Sequence, residues 1–317
     1  MLVLRPSLAI CLWAMAIIPS ACVAASLVER LGFAPDAKVL IINCDDFGMS
    51  HGENQASMNA IANGVATSAT LMVPCPWILE ALEWANQRPD PCVGVHLTLT
   101  SEWKYFRWGP VLGREVVPSL ADEQGYLYHG CEEVWQHGDP DEVYRECRAQ
   151  VERALALGLD PTHLDNHMGS LQTHPEWWRI YFRLAREFNL PLRMASRELY
   201  LALGAGDRRA EYEQAGILGP DVLIHGNYPL PEPDGLEAVP AYYEAVLRWL
   251  RPGTVTELYL HCALEGPEMQ AISGSHARRQ LDHDWLVSAE TRKLIDDLGI
   301  KLISYRPIRD LQRASGK

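Results

Sequence analysis

None of the eight cysteines forms a Cys-x-x-Cys pair, which removes zinc-ribbon and thioredoxin-like readings. No Gly-x-Gly-x-x-Gly follows the first β-like run, so a dinucleotide role has no support. No Gly-x-Ser-x-Gly occurs either, and Ser/His/Asp catalysis is left without an anchor. Internal repeats and low-complexity segments are absent. Positive charge is scarce: 28 Lys and Arg stand against 41 Asp and Glu, for a formal charge of −13. That balance argues against nucleic acid and anionic membrane surfaces as partners. A neutral or cationic substrate is easier to reconcile with it.

Long apolar runs are also lacking after the first two dozen residues. Met1 to Arg5 is short and weakly basic, Leu8 to Ile18 is almost wholly apolar, and Val23-Ala24-Ala25 offers the small residues a signal peptidase reads. The apolar stretch is too short to span a bilayer comfortably. Residues 1–25 therefore read as a cleaved secretory signal, with an uncleaved anchor as the alternative. Cys22 follows Pro19-Ser20-Ala21, a poor lipoprotein context. The expected location is secreted or periplasmic. Residues 26–317 read as a single domain, and a hydrophobic content of 48% supports a real core. Six cysteines remain beyond Cys11 and Cys22, and an exported chain can pair some of them. The sequence leaves a homo-oligomer open.

What is present is an alternation of β-like runs and helical patterns. The runs are Val39 to Cys44, Thr67 to Val73, Val93 to Leu99, His163 to His167, Leu192 to Ala195, Val222 to His225, Thr256 to His261 and Lys301 to Ser304. Amphipathic stretches lie between most of them, at 141–157, 175–188, 240–250 and 288–298. Strand-then-helix order predicts parallel strands with crossover helices. Near-continuous apolar runs suit strands buried on both faces. The fold class is α/β, a TIM-like, distorted (β/α) barrel, with an open doubly wound sheet as the alternative. Residues 100–138 break the rhythm as a loop-rich insertion carrying Trp103, Tyr105, Phe106, Trp108, Tyr126, Tyr128 and Trp135. Such a segment is a binding loop or packs a small core of its own.

Polar clusters sit where β-like runs end: Asp45-Asp46, His96, His163-x-Asp165-x-His167 and His261. In a parallel barrel the carboxyl ends of the strands converge on one face, where chemistry is placed. Two His and one Asp are suitable ligands for a divalent ion and leave positions open for water and substrate. Each residue also has a plainer explanation. One of the aspartates can cap the helix that begins near Glu53, His96 can be a satisfied core histidine, and His261 can be buried without a task. Pro161 and Gly169 disfavour a helical pairing of His163 with His167. On a strand the two lie roughly 13 Å apart, so His167, nearer the strand end, is the better ligand. Asp165 faces the same side and can orient a ligand histidine. His225 ends its own run and could support the cleft. A cysteine nucleophile at Cys44 or Cys262 would point to the opposite face of its strand.

These residues resemble a known family. The stretch Val39 to Ser50, Gly64-Val65-Ala66-Thr67-Ser68, Gly94-Val95-His96-Leu97, Pro161 to His167, Thr256 to His261 and Ile303-Ser304-Tyr305-Arg306 are similar, in order, to the YdjC-like carbohydrate deacetylases, also called the ChbG/HpnK family. The resemblance implies a distorted barrel and removal of N-acetyl groups from amino sugars or oligosaccharides. It implies Asp46, His96 and His167 as metal ligands, Asp45 as general base, His261 as general acid and Arg193 at a substrate-side position. One divalent ion is implied: the ligand set suits Zn2+, and the family is also associated with Mg2+. The chain departs from better-studied members at Met168-Gly169-Ser170-Leu171, where they carry a histidine-rich run, and at Cys262, often Pro there. Competing readings are a metal-dependent esterase or phosphoesterase on the same barrel, and an exported sugar-binding protein without catalysis.

Overall fold

β1, Lys38–Phe47, is central because its sequence leaves it no polar face to show to water: Val39, Leu40, Ile41 and Ile42 are all buried. In the computed structural model, which describes residues 25–224, 230–231 and 233–315, β1 is the axis of the sheet. It pairs in parallel with β6 (Thr254–Leu260) along Lys38 to Cys44. Its other edge is shared. The short β7, Lys301–Leu302, takes the amino half and β2, Ser68–Leu71, the carboxyl half. With β3 (Val93–Leu97), β4 (Leu164–Asn166) and β5 (Val222–Ile224), seven parallel strands form one sheet, with β4-β3-β2-β1-β6-β5 as its main path. Helices fill the crossovers, so the architecture is the expected α/β distorted barrel.

Period-two alternation divides the core. Leu40, Ile42 and Cys44 join the large cluster under the helices, while Val39 and Ile41 meet Val255, Tyr305 and Ile308 in a smaller one. Above that smaller cluster the interior turns polar, with Asn43, Glu257, Asp165 and Arg193 all buried. Arg193 donates to Asp45, Glu257 and Asp165 at 2.7–2.9 Å, and Tyr305 donates to Glu257. Buried charge is tolerable only when paired in this way.

Most of the expected strands are shorter than their apolar runs, and two are cut back furthest. Leu192 to Ala195 keeps only an isolated bridge, Leu164 to Leu192, since Pro191 has no N–H to extend the ladder; the Leu192 N–H, on the opposite edge, goes to Leu218 O at 3.0 Å. The fourth run keeps only Leu164–Asn166, and His167 begins a three-ten turn. The helix expected from residue 175 starts at Trp178; His174 Nδ1 accepts the Glu176 and Trp177 N–H groups ahead of it. The insertion does pack a core, with Trp108, Val117, Leu120 and Leu127 buried, and it ends in the helix Cys131–His137. Among the described residues no helix is long and apolar enough to cross a membrane. The signal-like residues 1–24 and His225 lie outside the described residues.

Candidate metal centre

Adjacent residues on a strand point to opposite faces, yet Asp45 and Asp46 both line one cleft. The register between β1 and β2 slips between Cys44 and Phe47, and Asp46 adopts φ +61°. A bulge of this kind re-aims a side chain, and a left-handed residue other than glycine costs energy that marks a site. His96 comes from β3 and His167 from the turn after β4. His261 follows the last residue of β6. The cleft they share has a volume of about 370 Å3.

One ligand atom from each of Asp46, His96 and His167 lies within 4.8 Å of the other two. All three side chains are buried. Asp46 Oδ1 stands 3.5 Å from His96 Nε2 and 3.4 Å from His167 Nδ1, and it has no hydrogen-bond partner. An orphaned buried carboxylate oxygen facing two imidazole nitrogens fits a divalent cation in charge and donor type. Asp45, His96 and Asp165 form a second such group. There the cationic place is already taken by the Arg193 guanidinium, which binds Asp45 and Asp165 together. The first group is therefore the better metal centre.

Each imidazole is backed by a carboxylate. His96 Nδ1 meets Asp165 Oδ1 at 2.6 Å, so its Nε2 faces the centre. His167 Nε2 meets Glu102 Oε2 at 3.0 Å, so its Nδ1 faces the centre. Such partners fix the tautomer and strengthen the ligand. The field is strongly negative: burial opposes protonation of His167, but Glu102 and Asp46 outweigh it and raise its pKa to about 10. A divalent cation placed between these ligands would answer that field. For Asp46, burial raises the pKa while Arg279, His261 and His167 lower it, and the lowering prevails. His261 is half-exposed, its Nε2 3.9 Å from Asp45 Oδ2. Burial in the cleft lowers its pKa, against the pull of Asp46.

The structure brings together Asp45, Asp46, His96, His167 and His261, with Asp165 behind His96. His163 is excluded: it is buried against Tyr305, ring centroids 3.6 Å apart. Arg193 lines the cleft, but its donors are occupied by Asp45, Asp165 and Glu257. Cys44 and Cys262 are buried with Sγ atoms 3.6 Å apart, and the neighbouring Cys262 thiol, with burial, drives the Cys44 pKa well up; neither fits a nucleophile. Among the described residues the cysteines are free.

Two residues were missed from sequence. Glu102 sits in the aperiodic insertion, and only its position six residues after His96 hints at it. Arg279, on the helix His276–Val287, reaches Asp46 Oδ2 at 2.9 Å and also pairs with Glu53. Glu102→Gln should weaken metal affinity by about 10–100-fold, read by competition with a chromogenic chelator. An unchanged affinity would remove Glu102 from the centre.

A parallel α/β barrel with an Asp-His-His group able to hold a cation at the carboxyl ends of its strands is the class that fold and site define. The family described as YdjC-like protein matches residues 39–297. This chain belongs to that family. A carbohydrate deacetylase of Enterococcus faecalis is 32% identical over 277 residues, covering 86% of this chain and 98% of the relative. A carbohydrate deacetylase of Thermus thermophilus is 33% identical over 291 residues, 90% of this chain and 98% of the relative. A crystal structure from Enterococcus faecalis, described as a putative cellobiose-phosphate cleavage protein, superposes with a TM-score of 0.73 at 32% identity. It covers 86% of this chain and 99% of its own.

Proposed function

We propose that this protein is a metal-dependent carbohydrate deacetylase that hydrolyses the N-acetyl group of an amino sugar. The observation that carries the reading is the buried, unpartnered Asp46 Oδ1 facing His96 Nε2 and His167 Nδ1, in a cleft that also holds Asp45 and His261. Asp46, His96 and His167 would hold the ion. Two imidazoles and a carboxylate favour Zn2+, with Mg2+ as the alternative. Such an ion supplies Lewis acidity, which makes water a better nucleophile and the acetyl carbonyl a better electrophile.

The chain's own residues do the rest. Asp45 takes a proton from the attacking water. Both of its oxygens are held by Arg193 at 2.7 Å, and Asn43 Nδ2 donates to Oδ1 at 2.8 Å, so its orientation is set before substrate arrives. His261 gives a proton to the departing amine, a poor leaving group otherwise. The C–N bond breaks, and acetate and a free amino sugar result. The proton left on Asp45 has 3.9 Å to cross to His261, which resets the pair. We also propose that residues 1–25 direct export and that 26–317 act as one domain. The apolar run Leu8 to Ile18 supports the first.

Chelator-treated protein, reloaded with Zn2+ or Mg2+ and given N-acetylated sugars, tests the reading. Acetate release that disappears on chelation and returns with one of the ions is the expected result. Equal turnover in chelated protein, or phosphate but not acetate released from a substrate carrying both groups, would overturn it.

A further inference from the structure

We propose that Asp282 is a positioning residue for the proton donor: from the helix His276–Val287 it holds the backbone of His261 and so sets that imidazole against the metal centre. The proposal rests on the deacetylase reading, in which His261 serves the departing amine. His261 lies one residue beyond the end of β6, where the ladder with β1 has stopped. One helix takes over from the sheet. The N–H groups of His261, Ala263 and Glu265 donate to Asp282 Oδ2 at 3.4 Å, Arg279 O at 3.1 Å and Gln280 Oε1 at 2.7 Å. The same helix reaches the metal centre, since Arg279 donates to Asp46 Oδ2 at 2.9 Å. Arg279 and Asp282 are three residues apart and share a helix face. A single element therefore carries both the contact to a metal ligand and the contact to the acid.

The carboxylate of Asp282 is itself held in place. It is buried, and its Oδ1 accepts from Tyr243 Oη at 2.7 Å and from Arg278 Nε at 2.9 Å. Arg278 Nη2 donates to Tyr243 Oη at 3.0 Å, which closes a triangle of three side chains. Oδ2 is left for the His261 N–H. At 3.4 Å that bond is long, but its acceptor is a buried carboxylate, and charge strengthens such a bond. Asp282 is not among the residues that line the cleft, so it acts through His261 and not on substrate. Asparagine would offer one oxygen where two are used. With that oxygen kept by Tyr243 and Arg278, the amide NH2 faces the His261 N–H, donor against donor. The acid is then pushed out of place while Asp46, His96 and His167 keep theirs. A misplacement of about 1 Å in a catalytic group can cost about 10²-fold in rate.

A double-mutant cycle on the zinc-loaded full chain tests this, with acetate release from N-acetylated sugars as the assay. Asp282→Asn should lower kcat by about 10–100-fold with KM and zinc content unchanged. In a His261→Ala background the same substitution should cost less than about twofold, because the group it positions is gone. An equal factor in both backgrounds, an undiminished kcat, or zinc lost along with activity overturns the proposal. Full turnover in His261→Ala overturns it too, since there is then no acid to position. Should Asp282→Asn not fold, Tyr243→Phe, which takes one donor from the same carboxylate, enters the cycle in its place. A severalfold loss of kcat that vanishes in His261→Ala upholds the proposal, and no loss or an equal loss overturns it. If no N-acetylated sugar yields acetate, the deacetylase reading fails on its own account. Amide hydrogen exchange at His261 then decides the role of Asp282: faster exchange in the variant, with the rest of β6 unchanged, upholds its hold on the backbone, and an unchanged rate overturns it.

Discussion

Asp45→Asn is expected to keep its metal and to lose turnover by about 10²–10⁴-fold, the usual worth of a positioned general base. The two halves of that result come from the same geometry. Asp45 is outside the group formed by Asp46, His96 and His167, so the ion keeps its ligands. Asparagine is near in shape and can still accept from Arg193, but it cannot take a proton from water. Metal content by elemental analysis and acetate release on the same preparation read both halves. Full turnover would show that another group is the base. Loss of metal together with activity would place Asp45 among the ligands.

Arg193→Leu is expected to destabilise the fold by about 3–5 kcal/mol, the cost of removing one partner from a buried ionic cluster. Three carboxylates meet this guanidinium, and Asp45, Asp165 and Glu257 are all nearly or fully buried. Without it they repel one another in the barrel interior. Burial already raises the pKa of Glu257, against the pull of Arg193, so protonation of such carboxyls is the chain's first escape. The midpoint of urea denaturation measures the loss. Arg193→Lys separates two roles: it restores one charge but not the planar fork that grips both Asp45 oxygens. It should recover much of the stability and little of the rate. A midpoint unchanged in Arg193→Leu would mean that the interior cluster contributes nothing to stability.

The parts of the site that end apolar runs were legible in the sequence. His96, His167 and His261 each follow several buried residues, and parallel strands bring such ends to one face. Strand spacing also separates His167 from His163, which stacks on Tyr305 away from the cleft. What stayed hidden depends on contacts with no local signature. Nothing in Cys44-Asp45-Asp46-Phe47 announces the bulge that turns both carboxylates into one cleft, because the register slip belongs to β1 and β2 as a pair. Glu102 arrives by an aperiodic loop. Arg279 has an arginine beside it, Arg278, which turns to Asp282 and Tyr243 instead, and helical periodicity alone does not say which arginine faces Asp46. Arg193 was placed on the substrate side of the cleft, but its three carboxylate partners come from β1, β4 and β6, strands whose approach only the folded barrel shows.

The most direct test of the account is an anomalous difference map from crystals grown with Zn2+. A single strong peak bounded by Asp46 Oδ1, His96 Nε2 and His167 Nδ1 is the predicted result. A zinc-replete crystal with no peak at that point, or with its peak between Asp45 and Asp165, would contradict it.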